Sequence, residues 1–219
     1  MERRKGVGRH LHRYHVLQKT AVNTFLFLTI RGELLQLNNM DVTAIILAGG
    51  KSSRMGRDKG LVLYRGKRMV EHVVEACKKL TSDILISTNN PEYSFLGYRL
   101  IPDDYKNTGP IGGMLAALKA SATEDNIFCP CDMPNLHPGI LQKIITKSDG
   151  ESVVVAVDPT GKIYPVLGYY KKSVLPAIET QIKKGDFKLQ HLLAAVNAKN
   201  VEVKDAKALS NVNYPKDLK

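Results

Sequence analysis

Short apolar runs alternate with longer, partly apolar stretches along most of the chain after residue 40. A continuous apolar run of about four to eight residues between turn residues is typical of a strand buried on both faces of a parallel sheet. These runs predict strands at Val42–Leu47, Asp83–Ser87, Tyr98–Ile101, Asn126–Cys129, Ser152–Asp158, Pro165–Tyr170 and, at a sheet edge, Val201–Val203.

Apolar residues in the intervening stretches recur three and four positions apart, the spacing of a helix that buries one face. They predict helices over Lys67–Leu80, Ile111–Ala120, Pro138–Lys147, Val174–Lys184 and Phe187–Val196. The turn at 159–161 joins two of the predicted strands as a hairpin. Strands that alternate with helices predict an α/β protein with a doubly wound, Rossmann-like and mostly parallel sheet, which binds ligands at the carboxyl ends of its strands.

The first predicted strand runs into a glycine-rich, cationic loop within residues 44–61 (AIILAGGKSSRMGRDKGL). Gly49 and Gly50 let the backbone turn and approach a ligand closely. Four cations follow within nine positions, at Lys51, Arg54, Arg57 and Lys59. Charged donors at this density suit a polyphosphate.

This loop fits neither of two common phosphate-binding motifs. A P-loop needs a glycine five positions before Gly50, where this chain has Ile45. The dinucleotide fingerprint G-x-G-x-x-G fails because Gly49 and Gly50 are adjacent and the next glycine is Gly56. The pattern that remains is L-A-G-G-x-S-x-R-M-G-x-x-K.

That pattern resembles the signature loop of nucleotidyltransferases, most closely that of the molybdenum cofactor guanylyltransferases. Two further strings resemble the same family, Cys129–Pro134 (CPCDMP) and Asn211–Leu218 (NVNYPKDL), where Tyr214 replaces a small hydroxyl residue. The resemblance covers residues 40–219 and implies a single nucleotidyltransferase domain. It implies transfer of GMP from GTP to the terminal phosphate of molybdopterin cofactor, with release of pyrophosphate.

The resemblance also implies roles for individual residues. Lys59 clamps the phosphates with assistance from Arg54, and Asp132 completes the catalytic set. The pterin-side candidates are Asn211 and Asn213. The expected GTP-binding residues are Leu47, Ala48, Gly49, Lys59, Asp103 and Asp132.

Asp132 follows a predicted strand that should neighbour the first one. Mg²⁺ prefers few protein carboxylates together with waters and phosphate oxygens, so one aspartate at a strand end is sufficient. The family places its magnesium aspartate in a C-x-C-D-x-P setting, which Cys129–Pro134 reproduces. The competing interpretation is a turn or helix-capping aspartate before Pro134.

Asp103 follows the predicted strand that ends at Ile101. Guanine presents a ring N–H and an exocyclic amine, which one carboxylate can accept together, so an aspartate near the base could select guanine, and the resemblance to the family favours Asp103 for this role. Asp104 is the alternative and we interpret it as a turn residue. The family's nucleotide-contacting asparagine falls in register with Ser87, and Asn89 lies two positions later.

Composition narrows the class of protein. A chain of 219 residues with 43% hydrophobic residues can bury a full core. Its three cysteines lack the spacing of a disulfide scaffold, so we expect a reducing, cytoplasmic location and interpret Cys129 and Cys131 as strand-packing residues. The apolar run Thr24–Ile30 has seven residues, well short of the ~20 that span a bilayer, so we expect no membrane anchor.

Residues 1–39 differ from the remainder in charge. They carry seven Lys or Arg and two acidic residues, which is +5 of the net +11. Because the resemblance begins at Met40, we expect Met40 to be the physiological start. Residues 1–39 would then be an extension that is disordered or a loose helix.

Three other functions compete with this interpretation. A cytidylyltransferase of the same cofactor is disfavoured by Gly49-Gly50, because those enzymes more often have L-A-A-G there. A sugar-phosphate nucleotidyltransferase is the second. A basic nucleic-acid-binding protein is the third, and it lacks a recognition helix, a stacking platform or an RNA-binding motif. We therefore expect a monomer whose partners are GTP, molybdopterin cofactor and proteins that deliver or accept that cofactor.

Overall fold

The structure is a computed structural model that describes residues 26–30, 33–37, 41–49, 58–103, 105 and 107–212. The chain separates into two compact units, residues 1–36 and 37–219. Strands β1 (Leu26–Ile30) and β2 (Glu33–Leu37) form a two-stranded sheet. We expected a loose helix or disorder here, whereas two short apolar runs flanking a glycine are also the pattern of paired strands.

The described residues of the larger unit form a seven-stranded sheet. Its strands are β3 (Thr43–Leu47), β6 (Ile84–Ser87), β7 (Arg99–Ile101), β8 (Asp125–Pro130), β9 (Val153–Val157), β10 (Ile163–Lys171) and β11 (Lys199–Glu202). Their order across the sheet is β11-β9-β10-β8-β3-β6-β7. Only β10 runs antiparallel to its two neighbours, β8 and β9, so the predicted mostly parallel sheet, hairpin and edge strand are confirmed.

Five helices accompany this sheet in the described residues, α1 (Met69–Cys77), α2 (Pro110–Ala120), α3 (Pro138–Thr146), α4 (Leu175–Lys183) and α5 (Leu189–Ala195). Each of these helices lies inside a helix that the apolar spacing predicts, except that α2 begins one residue before its predicted start. Three short 3-10 helices also occur, at Lys59–Leu61, Pro91–Leu96 and Lys172–Val174.

A small hairpin shortens the first predicted helix at its start. Residues Lys67–Arg68 (β5) pair with Leu63–Tyr64 (β4) instead of continuing the helix. Arg65 and Gly66 between them both have positive φ, 50° and 82°. Two consecutive residues of this kind match the right-handed twist of a tight hairpin, which stops the helix from extending backwards.

Two hydrophobic cores cover the two faces of the large sheet. Ala44 and Ile46 of β3 pack in one core with α1 and α3, whereas Ile45 packs in the other with α2, α4 and α5. The alternation follows from the two-residue repeat of a strand. Cys129 and Cys131 are buried, as expected of strand packing, and all three cysteines are free.

The sheet order creates a switch point at the carboxyl end of β3. The chain passes from β3 through α1 to β6 and β7 on one side, and α2 then returns it to β8 on the other side. In open α/β sheets, ligands bind in the crevice at such a point. Among the described residues, none of the helices has the length and apolar character needed to cross a bilayer.

Candidate active site

Four parallel strands end level with one another at the switch point. Pro130, Leu47, Ser87 and Ile101 are paired in register across neighbouring strands β8, β3, β6 and β7. The residue that leaves each strand therefore emerges at the same edge of the sheet. The segments that follow carry the sequence-predicted residues Ala48, Gly49, Asp103 and Asp132, which the fold thus brings to one edge.

Lys59 and Asp132 meet across the switch point. The Lys59 Nζ lies 3.4 Å from the Asp132 Oδ2. Lys59 begins a 3-10 helix at the end of the glycine-rich segment, and Asp132 lies two residues beyond β8. Their side chains are 25% and 16% exposed, so both are partly withdrawn from water yet reachable by a ligand.

The environment of Asp132 opposes its negative charge. Burial raises the pKa of the Asp132 carboxyl above its usual value, and the neighbouring Lys59 ammonium offsets part of that rise. A partly buried carboxylate of this kind gains from any further positive charge brought to it. The site is therefore suited electrostatically to a cation that arrives with a ligand.

The described residues do not provide a complete set of protein ligands for a metal ion. No cluster of three or more His, Cys, Asp or Glu side chains among them could hold a metal ion. Mg²⁺ in nucleotide sites commonly uses one or two carboxylates and takes its other ligands from phosphates and water. Asp132 at the switch point fits that mode of binding.

The end of β3 is fixed on both sides by backbone hydrogen bonds. The Cys131 N–H donates to the Leu47 carbonyl at 3.1 Å, and the Ala48 N–H donates to the Ser87 carbonyl at 2.9 Å. Gly49 is exposed, and a Cβ built there would meet no atom within 4 Å. Leu47 and Ala48 are thus held in place at the end of β3, and the exposed Gly49 follows them. Arg54 lies outside the described residues.

Asp103 is held in place by the side chain of Asn89. The Asn89 amide oxygen accepts the Asp103 N–H at 2.8 Å, and its Nδ2 donates to the Asp103 carbonyl at 2.9 Å. The Ser87 hydroxyl instead donates to the Gly113 carbonyl at 3.2 Å and is buried. Asn89 therefore orients Asp103, the candidate base-selecting residue, whereas Ser87 links β6 to α2.

The Asp103 carboxylate lies against the first turn of α2. A Cβ added at Gly112 would come within 2.7 and 2.8 Å of the two carboxylate oxygens. One of these oxygens also accepts the Tyr105 N–H at 2.8 Å. Since the N-terminus of a helix carries partial positive charge, it favours a carboxylate at this position.

The segment after residue 209 passes the end of β8. The Val212 N–H donates to the Asp132 carbonyl at 3.0 Å, and Val212 is buried with Val62, Tyr64 and Met69. Asn211, the preceding residue, is exposed beside this contact. Its assignment to the pterin side stays a prediction, and Asn213 lies outside the described residues, as does Asp104.

Three residues of the site escaped the sequence analysis. Asp58, Asn90 and Tyr93 form a hydrogen-bonded group directly behind Lys59. The sequence contains one indication of Asp58, because this residue immediately precedes Lys59 of the signature loop. It contains no indication of Asn90 or Tyr93, since the segment between the predicted strands 83–87 and 98–101 has neither a helical nor a strand period.

Comparison with known proteins identifies the family. A family model described as the MobA-like NTP transferase domain matches residues 44–202. A relative from Flavobacterium johnsoniae, named a probable molybdenum cofactor guanylyltransferase, is 37% identical over 179 residues, which cover 81% of this chain and 94% of the relative. The chain belongs to the MobA-like NTP transferase family. The resemblance seen in the signature loop is thereby confirmed, and the chain is a nucleotidyltransferase.

A second relative supports the same assignment, and a solved structure supports the fold. A molybdenum cofactor guanylyltransferase from Vibrio parahaemolyticus is 33% identical over 179 residues, covering 80% of this chain and 91% of that protein. The crystal structure of molybdopterin-guanine dinucleotide biosynthesis protein A from Archaeoglobus fulgidus has a TM-score of 0.68 at 24% identity, covering 80% and 94% of the two chains. That likeness shows the fold and confirms the predicted Rossmann-like class.

Proposed function

We propose that this MobA-like chain transfers GMP from GTP to the terminal phosphate of molybdopterin cofactor, forming the guanine dinucleotide and pyrophosphate. The observation that carries the proposal is the Lys59–Asp132 pair at the switch point of a nucleotidyltransferase fold. Relatives that cover most of this chain at 33% and 37% identity are named for the same activity.

The reaction needs charge neutralisation and alignment rather than a general base. A phosphate oxygen of the cofactor, already an anion, forms a bond to the α-phosphorus of GTP. The bond from that phosphorus to the bridging oxygen breaks, and the electron pair leaves with pyrophosphate. Catalysis of such a transfer consists mainly of in-line positioning and stabilisation of the charge on the phosphate oxygens.

Lys59 supplies that stabilisation in our proposal, with Arg54 assisting. The ammonium group is a compact charge at the edge of the sheet where the triphosphate would lie. Asp132 would hold Mg²⁺ jointly with the nucleotide phosphates, and the metal would neutralise charge on them. The residues present suit this role, because Asp132 is partly buried and its environment favours a neighbouring cation.

Base selection falls to the end of β7. Asp103 lies against the amino end of α2 and is held by Asn89. Its carboxylate can accept both the ring N–H and the exocyclic amine of guanine, a pair of donors that adenine does not present. Leu47, Ala48 and Gly49 would contribute the backbone contacts to the nucleotide.

The deciding experiment measures pyrophosphate release with each of the four nucleoside triphosphates and molybdopterin cofactor, over a range of magnesium concentrations. We expect activity with GTP that requires magnesium and rises to saturation. Equal or higher activity with CTP would overturn the guanylyl assignment in favour of cytidylyl transfer. The same assay without the pterin substrate controls for simple hydrolysis of the nucleotide.

We further propose that the chain acts as a cytoplasmic monomer that receives its substrate from, and passes its product to, other proteins. The product is itself a cofactor, so its use requires transfer to an acceptor enzyme. Light scattering after size-exclusion chromatography tests the monomer. A dimeric mass at micromolar concentration would contradict it.

A further inference from the structure

The carboxylate of Asp58 is the centre of a hydrogen-bonded group behind the phosphate-clamping lysine. Its Oδ1 accepts the Gly60 N–H at 3.2 Å and also the hydroxyl of Tyr93. Its Oδ2 accepts the Asn90 Nδ2 at 3.2 Å. These bonds tie the 3-10 helix that begins at Lys59 to the 3-10 helix Pro91–Leu96 that follows β6.

Tyr93 fills the space directly beneath that turn. Its side chain is fully buried, and a Cβ added at Gly60 would come within 2.3 Å of its hydroxyl oxygen. The same Cβ would lie 3.1 Å from the Sγ of Cys131, the residue before Asp132. The tyrosine hydroxyl thus lies where the Lys59 turn and the Asp132 segment come together. Burial raises the pKa of Tyr93, so its hydroxyl remains a donor to Asp58.

We propose that Asp58, Tyr93 and Asn90 are positioning residues that hold Lys59 beside Asp132 in the geometry required for phosphate transfer. This inference rests on the proposed function, because it assigns the network's effect to the action of Lys59 on the nucleotide phosphates. A lysine side chain is long and flexible, so the position of its ammonium depends on how firmly its backbone is held. Asp58 fixes the residues on both sides of Lys59, since it precedes Lys59 and bonds to the Gly60 N–H.

The bonds of Asp58 also admit a purely structural interpretation. An aspartate at this position caps a short helix, and a buried tyrosine hydroxyl needs an acceptor in any protein. Such roles predict lower thermal stability with no specific link to Lys59. A positioning role predicts instead that the effect of removing the hydroxyl disappears once Lys59 itself is gone.

A double-mutant cycle separates these possibilities, with Tyr93→Phe and Lys59→Ala tested singly and together. Tyr93→Phe keeps the buried ring and removes only the hydroxyl. We expect it to lower kcat/KM about 10- to 100-fold, the scale of a misplacement of about 1 Å in a catalytic group. In the Lys59→Ala background we expect the same change to alter kcat/KM by no more than about twofold, so the two substitutions should be strongly non-additive, as expected of residues that act through one another.

Two further variants keep the test decisive if Tyr93→Phe is poorly stable. Asn90→Asp retains the oxygen that accepts the Glu92 N–H but loses the donor to Asp58 and places a like charge there. It should show the same loss of activity and the same dependence on Lys59. Tyr98→Phe is the matched control, because Tyr98 is a partly buried tyrosine outside this group, and it should leave kcat/KM unchanged.

The outcome that overturns the positioning role is a fall in activity by the same factor with and without Lys59. Unchanged kcat/KM in both Tyr93→Phe and Asn90→Asp would overturn it equally. The cycle can be measured with whichever nucleotide supports pyrophosphate release. A preference for CTP would therefore overturn the guanylyl proposal alone, whereas additive effects would overturn the positioning proposal alone.

Discussion

In the proposed reaction Lys59 supplies a compact cation and Asp132 a partly buried carboxylate. Neither is an ordinary surface charge, because both side chains are at most a quarter exposed. Their ion pair is a weak one, since 3.4 Å is longer than an ideal charge-assisted hydrogen bond. The proposal that Lys59 binds the triphosphate while Asp132 holds magnesium would require this pair to separate.

Replacement of Lys59 by alanine should impair catalysis more than stability. If Lys59 stabilises the transition state, kcat/KM should fall by an amount equivalent to about 2 to 4 kcal/mol. Lys59→Arg should restore only part of the activity, because a planar guanidinium does not replace a point charge. Steady-state kinetics on the two variants test this. Wild-type kinetics in Lys59→Ala would show that Lys59 is a solvated surface residue without a catalytic role.

Asp132→Asn should separate activity from stability. Asparagine keeps the shape but lacks the charge that a hard cation needs, so turnover should fall by orders of magnitude. Because burial raises the pKa of Asp132 in the folded state, its ionisation opposes folding once the pH exceeds the ordinary aspartate range. The asparagine variant should therefore melt at the same or a higher temperature near about pH 7, with the difference shrinking towards about pH 4.

Melting curves without nucleotide, beside turnover at several magnesium concentrations, test both halves of that prediction. A turn or capping aspartate would tolerate asparagine in activity as well as in stability. Near-normal turnover of Asp132→Asn at limiting magnesium would thus remove the residue from the site.

The sequence locates a side chain that follows a regular element more readily than side chains that cooperate across the fold. The pattern of strands places Asp103 and Asp132 at the ends of β7 and β8, so both could be located from sequence. The support of Asp58 by Tyr93 joins residues 35 positions apart through a 3-10 helix, which has no distinctive hydrophobic period. Partners of that kind cannot be read from local pattern.

At the scale of elements, α2 shows how glycine serves a site rather than a turn. Two adjacent glycines, Gly112 and Gly113, lie in the first half of the helix, where alanine would be the better helix former. They let Asp103 and Ser87 approach the helix backbone, because a Cβ at either position would lie within 2.8 Å of those side chains. The two glycines thus lower the helix propensity of α2 but leave the space in which a carboxylate can lie at its amino end.

Gly112→Ala should test this arrangement. The gain of about 0.4 to 1 kcal/mol from a less flexible unfolded chain should be offset by the displacement of Asp103 and Thr108, leaving stability close to the wild type. Binding should suffer instead. We expect the KM for GTP to rise about tenfold or more, since a hydrogen bond to a charged group contributes about 1.5 to 3 kcal/mol.

Gly139→Ala is the matched control for that variant. Gly139 follows the first-turn proline of α3, and a Cβ there would approach only the exposed ring of His137, at 3.2 Å. Its kinetics should match the wild type. A Gly112→Ala enzyme with unchanged KM and unchanged preference for GTP over ATP would contradict a role for Asp103 in base selection.

Across the whole molecule, the order of strands does more to build the site than any single motif. Residues 47, 103 and 132 are far apart in sequence and come together because β3, β7 and β8 are parallel and end level. Alternating strands and helices were enough to predict this class of sheet. The pairing of β10 with β8 was less accessible, because the pairing of strands that are not consecutive in the chain leaves no mark on the hydrophobic period.

The part of the chain that carries the candidate site has a net positive charge, which suits the binding of anionic substrates. Of the net charge of +11, residues 1–39 contribute +5, which leaves +6 for residues 40–219. Both proposed substrates are phosphate anions, and a modest positive field raises their encounter rate. The catalytic unit therefore has a suitable charge without the first 39 residues.

Deleting residues 1–39 should accordingly leave both fold and activity intact. All seven strands of the large sheet lie between residues 43 and 202, and the match to the family model spans residues 44–202. Thermal melting and pyrophosphate release on the shortened chain test the prediction. Loss of several degrees in melting temperature would contradict it. Deletion to residue 47 is the control and should prevent folding, because it also removes β3, the strand that pairs with both β6 and β8 at the switch point.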